Sequence, residues 1–188
     1  VLTDTAGHVV ATANPAYASQ LSQSSVAHET WFRNAMRTAS GDDYVVDPVS
    51  VSPLHNGRKV LVYATAVRDG GRSDGVVLGT LGVYFDWEDQ GATIVETEAN
   101  LPPGVKEKTV VMLLDGEKRV IASTDPERMF TQFELRDDDE LRGCYTDRDS
   151  IVAFAKTLGY QEYDGLGWYG VVIQQTERDE ELRAGLGL

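Results

Sequence analysis

Apolar residues recur along this chain at two different periods. In "VAHETWFRNAMRTA", Ala27, Trp31, Phe32, Ala35, Met36 and Ala39 fall at the spacing that lines one face of a helix. In "DYVVDPV", "KVLVYATAV" and "GVVLGTLGVYFDW", β-branched and aromatic residues form short runs bounded by Gly, Pro and Asp, which predicts strands. Ahead of the helix, "VLTDTAGHVVATANP" reads as a strand, an Asp/Gly turn and a second strand. The predicted order is a hairpin, a helix and three strands.

The hairpin occurs twice. Residues 1–15 align without a gap on 112–126, "MLLDGEKRVIASTDP", placing Asp4 over Asp115, Val9 over Val120, Ala11 over Ala122, Thr12 over Ser123 and Pro15 over Pro126. The constant offset of about 111 residues is too long for a solenoid period, so two copies of one module are implied. After the second hairpin, "RDSIVAFAKTLG" has helical spacing, the acidic run 137–140 reads as a solvated helix start, and "GYQEY" and "WYGVVIQQ" read as strands. Pro102, Pro103 and Gly104 punctuate the chain and place the module boundary near Gly104. The final "TERDEELRAGLGL" is charged, opens on Thr176 as a cap and predicts a short exposed helix.

Composition narrows the function classes. With 41% hydrophobic residues in 188 the chain can bury a core. Seventeen basic residues face 30 acidic ones for a net charge of −13, which argues against a nucleic-acid partner. The longest apolar run, "GVVLGTLGVYF", falls well short of the roughly 20 residues that span a bilayer, so the segment is expected to be soluble. No signal peptide opens the sequence, and the reading is of an excised piece. The lone Cys144 forms no internal disulfide and belongs to no C-x-x-C signature.

Catalytic and cofactor signatures do not stand out. There is no nucleophile elbow, phosphate-cradling loop, helical zinc pair or calcium loop, and no cofactor or metal is expected. His8, His28 and His55 read as surface histidines of a turn, a helix start and a loop. Gly79, Gly82 and Gly91 spell no dinucleotide fingerprint and instead relieve crowding in a bent strand. Trp168 and Tyr169 read as core aromatics.

Taken in order, "TDTAGHVVAT", the Trp31–Phe32 pair, "YVVDP", "GTLGVYFDW", the second hairpin and "YDGLGW" resemble the double Cache family. These are the PAS-like extracytoplasmic sensor regions of bacterial chemoreceptors, histidine kinases and nucleotide cyclases. The resemblance covers nearly the whole chain and implies an α+β fold of two tandem PAS-like modules, each an antiparallel sheet flanked by helices. Residues 1–104 would be the membrane-distal ligand-binding module with its connector. Residues 105–188 would be the membrane-proximal module with a C-terminal signalling helix. The long helix that precedes the first module in that family is absent from the sequence. The implied protein is the periplasmic or extracellular portion of an inner-membrane receptor, homodimeric at full length, with a small molecule as its partner and no enzymatic activity.

The resemblance also implies a site. The aromatic pair Trp31 and Phe32, Tyr44 and the acid Asp86 would line the distal pocket, with Tyr63 around it. Period-two alternation adds Tyr84 on the side of Asp86. Asp86 ends an apolar strand, where an unpaired buried carboxylate costs several kcal/mol, so a cationic guest would relieve it. In amino-acid-binding members an arginine two residues before the tryptophan clamps the ligand carboxylate; here that position is Glu29. Like charges 4 Å apart repel by about 4 kcal/mol at an effective dielectric of 20, which favours an amine or quaternary ammonium over a plain amino acid. Glu29 either faces this site or faces solvent from the helix. In the latter case uncharged, amino-acid or purine-type ligands return. A small hydrolase using His28 with Glu29 or Asp86, and an interaction module in which Trp31 and Phe32 are simply core, are the competing readings.

Overall fold

The computed structural model describes residues 1–159, 163 and 165–176. The chain forms two compact units, Val1–Glu88 and a second beginning at Asp89. The first holds β1 (Leu2–Thr3), β2 (Val9–Ala11), α1 (Pro15–Leu21), α2 (Thr30–Ala35), β3 (Val45–Ser52), β4 (Arg58–Arg68) and β5 (Val77–Asp86). α3 (Trp87–Thr93), a π-helical turn (Ile94–Glu98) and α4 (Pro103–Lys106) follow. The second unit then continues with β6 (Thr109–Leu114), β7 (Val120–Ser123), β8 (Arg142–Asp147), β9 (Ser150–Lys156) and β10 (Tyr169–Gln175). Both sheets are five-stranded and antiparallel throughout, ordered β2-β1-β5-β4-β3 and β7-β6-β10-β9-β8. This is the same topology twice, as the repeat requires.

The repeat extends to single hydrogen bonds. Asp4 Oδ1 accepts from the N–H of Ala6 and His8, each at 2.9 Å. Asp115 Oδ1 accepts from Glu117 and Arg119, each at 3.0 Å. A carboxylate bonding its own backbone closes the turn that an Asp in this position favours. Further on, the side chain of Asn14 caps Ala16 N–H and that of Asp125 caps Glu127 N–H, both followed or preceded by the matched Thr12 and Ser123 hydroxyl contacts.

In the first unit β4 alternates, sending Val60, Val62 and Ala64 into a core with Val9, Leu21, Val26, Trp31, Phe32 and Ala35. The helix predicted around Trp31 is only the six residues of α2. The segment before it is pinned to the first hairpin: Val9 N–H donates to Ser24 O, Val26 N–H donates to Gly7 O, and His8 bridges Ser25. Those bonds consume backbone groups a longer helix would need. Gly7 permits the contact, since a Cβ there would lie 2.7 Å from Ala27 N and its φ is +83°.

Three expectations for the second unit change. Residues 94–98 and α4 pack on β6 and β7, so the compact unit starts at Asp89 and the Gly104 punctuation lies inside it. The stretch read as helical, "RDSIVAFAKTLG", supplies β9, whose burial alternates with Val152 and Phe154 inward. Over so few residues the spacing fits either period, and pairing with β8 and β10 decides. The acidic run is a turn in which Asp138 and Asp139 take left-handed φ of 45° and 61°. The predicted strand "GYQEY" falls largely, and the C-terminal helix after Thr176 wholly, outside the described residues.

Candidate ligand-binding site

Antiparallel register builds the site. Val60 lies opposite Asp86 and Val62 opposite Tyr84, so Tyr84 and Asp86 share the face that carries the first unit's core. At the end of that face a cavity of about 230 Å³ opens between the sheet, α1 and the turn after β3. Tyr84, Asp86, Val60 and Arg58 form its sheet side; Tyr17, Asn14 and His55 face them.

Asp86 is not the unpaired buried carboxylate expected from sequence. Its side chain is 44% exposed and meets Arg58 Nη2 at 2.6 Å, with Glu88 at 3.8 Å from the same nitrogen. Arg58 opens β4 where Asp86 closes β5, so the pairing of the two strands brings a guanidinium to the carboxylate. The cation that pairs with this carboxylate is supplied by the protein.

His55 is also not a surface residue, being 8% exposed. Its Nδ1 shares a 2.9 Å hydrogen bond with Ser52 Oγ, and its ring lies 4.3 Å from that of Tyr84 and 4.9 Å from that of Tyr17. Burial pulls its pKa down, helped by the Val1 ammonium and opposed by Asp86.

Trp31 and Phe32 belong to the core, at 1% and 6% exposure, and neither borders the cavity. The Trp31 indole stands edge-on to Tyr84 at 5.8 Å and rests on Gly82, where a Cβ would lie 2.9 Å from Cη2. Gly82 therefore serves the ring above it rather than a bend. Tyr44 and Tyr63 stack at 6.0 Å, and Tyr63 meets Phe85 at 5.6 Å, on the sheet's other face. Alternation puts Tyr63 opposite in sense to Val62, which excludes it from the cavity side. Of the seven residues expected to meet, Tyr84 and Asp86 line the cavity.

Glu29 sits at the N-cap of α2 without capping it and pairs with exposed His28 at 3.2 Å. It acts electrostatically on Tyr84 and on Asp47 of β3, which lies one strand beyond Val62 in the same cross-strand row. Burial, then the Glu29 charge, raises the Asp47 carboxyl above its ordinary pKa. The same two causes, in that order, raise the Tyr84 hydroxyl, while the nearby Trp31 indole opposes them. Despite that proximity, neither Trp31 Nε1 nor the Tyr84 hydroxyl, both buried, makes a hydrogen bond of acceptable geometry. Sequence reasoning missed Arg58, His55, Tyr17 and Asp47. The register of β3, β4 and β5 would have found Arg58 and Asp47, since each shares a row or its diagonal with Asp86 or Tyr84. Among the described residues no group of His, Cys, Asp and Glu is arranged to hold a metal.

Two antiparallel five-stranded units in tandem, the first with a cavity at its sheet face, give the chain a tandem PAS-like, Cache-type α+β fold. Among solved structures it is similar to an extracellular ligand-binding receptor from Desulfohalobium retbaense DSM5692, with a TM-score of 0.68 at 15% identity, covering 93% of this chain but 29% of that one. It is similar to the Pseudomonas aeruginosa PAO1 amino-acid chemoreceptor PctC ligand-binding domain in complex with GABA, with a TM-score of 0.60 at 15% identity over 92% of this chain and 71% of that one. The Pseudomonas fluorescens chemoreceptor CtaA ligand-binding domain with L-serine gives a TM-score of 0.57 at 12% identity over 93% and 70%. At such identities the likeness is one of fold. No family model and no curated protein matches the chain. Among the described residues no helix is long and apolar enough to cross a membrane.

Proposed function

We propose that the chain is the extracytoplasmic sensor region of a transmembrane receptor, and that its first unit binds a small molecule carrying an ammonium group. The observation that carries this reading is the pair of carboxylates, Glu29 and Asp47, that act on Tyr84 from beside the cavity it lines, while Asp86 in the cavity is already matched by Arg58. At about 230 Å³ the cavity suits a metabolite smaller than the 300–1,000 Å³ class of drug-sized pockets. Bound ligand would act by its differential affinity for two conformations of the unit, the requirement for any signal. The receptor would be homodimeric at full length.

A second reading, an α- or ω-amino acid, is favoured by Arg58. Its guanidinium borders the cavity beside Asp86, so a zwitterion would find both charges complemented. The neighbours crystallised with GABA and L-serine support that reading. Thermal unfolding with a panel of amines, amino acids, organic acids and purines tests the proposal: a ligand at a hundred times its Kd adds about 2.7 kcal/mol of stability. Tyr84→Phe should keep the fold and shrink the response. A panel without any stabilising compound overturns the sensor reading.

A further inference from the structure

The proposed ligand needs an anchor for its ammonium group, and Asp86 is poorly suited because Arg58 already neutralises it at 2.6 Å. A carboxylate with no ion-pair partner among the described residues, Asp47, lies one row along the sheet, and Glu29, whose partner is exposed His28, stands over it. Asp47, Val62 and Tyr84 stand opposite one another on β3, β4 and β5 and so project from one face. α2 packs over these three strands and brings Glu29 to the same place. Two carboxylates thus meet beside two buried polar atoms that have no hydrogen-bond partner, the Trp31 indole N–H and the Tyr84 hydroxyl. Trp31 is 1% exposed, and a buried donor left unbonded costs about 1–3 kcal/mol unless something completes it.

Resting on the reading that this face of the first unit holds the ligand, we propose that Glu29 and Asp47 are the ammonium anchor and that the Tyr84 hydroxyl is its third partner. The donors and acceptors then balance. The ammonium donates to the two carboxylates and to one lone pair of the Tyr84 oxygen. Tyr84 donates its own hydrogen to a carboxylate, and the Trp31 N–H reaches the remaining lone pair. The arrangement selects a cation: an anionic or neutral guest leaves Glu29 and Asp47 facing each other with only exposed His28 beside Glu29. Burial, then the Glu29 charge, raises the Asp47 carboxyl, and a bound cation would relieve the charge repulsion. Asp47 is the residue this adds to the site.

The experiment reads the Trp31 indole resonance in 15N–1H correlation spectra of the protein, assigned among Trp31, Trp87 and Trp168 with Trp31→Phe. n-Butylammonium chloride is the probe, with n-butanol as its neutral counterpart. Saturable movement of the Trp31 signal with the cation alone is expected. Asp47→Asn and Glu29→Gln should each weaken that binding by about tenfold, the loss of one partly buried charge contact. A wild-type pH series adds a second readout: the alkylammonium stays charged, as lysine does to about 10.4, so affinity should fall as pH drops through the raised Asp47 pKa, with Glu29, its partner His28 and Tyr84 as the other ionisable groups facing it. A Trp31 signal indifferent to n-butylammonium, or moved equally in Asp47→Asn, overturns the anchor. If amino acids from the thermal panel still stabilise the protein in that case, the sensor reading stands and only the anchor is lost. If the panel is silent as well, both fall.

Discussion

At the scale of single residues, the first unit depends on one missing methyl group. Gly82 supports the Trp31 ring, and Trp31 is too deeply buried to retreat. Gly82→Ala forces overpacking against the buried Trp31 ring and should cost about 1–3 kcal/mol in urea unfolding, with an unchanged m-value. His55 supplies a pH signature. Its folded pKa is lowered from 6.5, so the unfolded chain takes up the proton first as pH falls. Its contribution is present above 6.5 and is lost on acidification below that value. Ser52, Tyr17, Tyr84, Asp86, Arg58 and the Val1 ammonium are the groups that surround it. Unfolding free energy measured from pH 8 downward should therefore bend below 6.5, and His55→Gln should flatten the bend. Burial of His55 was illegible in the sequence because "SPLHNG" has the composition of an exposed turn. Packing of the Tyr84 and Tyr17 rings against it removes it from water.

Elements were legible where the chain's period was long or its turn chemistry specific, and illegible where pairing partners decided. The duplicated Asp turn is the clear case. A carboxylate in register with two backbone N–H groups is a local device, so it survives in the structure at both Asp4 and Asp115. β9 is the contrary case: Ile151, Val152, Phe154 and Ala155 satisfy a helical template, yet β8 and β10 supply hydrogen bonds on both sides that no sequence window contains. Tyr44 and Tyr63, expected beside Asp86 from the resemblance, stand together on the face opposite Val62, because the resemblance does not say which face α2 covers. Asp115→Ala removes an acceptor from two N–H groups and should destabilise the second unit by about 1–2 kcal/mol, whereas Asp115→Asn, which keeps the Oδ1 acceptor, should cost less. Hydrogen exchange at Glu117 and Arg119 is the measurement, since those amides lose protection only if the turn opens.

For the whole molecule, the net charge of −13 separates the two ligand readings without any mutation. A chain so acidic raises the local concentration of monocations and accelerates their encounter, an effect confined within the Debye length of about 30 Å at 0.01 M salt and about 3 Å at 1 M. A zwitterion carries no net charge for that field to act on. Calorimetric affinity for an alkylammonium probe should thus fall steadily as salt rises from low to near-molar concentration, while affinity for a neutral amino acid changes little. The dipole of an amino acid still feels Arg58 and Asp86, but at contact distance, where salt screens weakly. Equal salt dependence for both probes would mean that the molecular field plays no part in recognition. Ligand selection would then rest entirely on the row formed by Asp47, Val62 and Tyr84 and on the Arg58–Asp86 pair beside it.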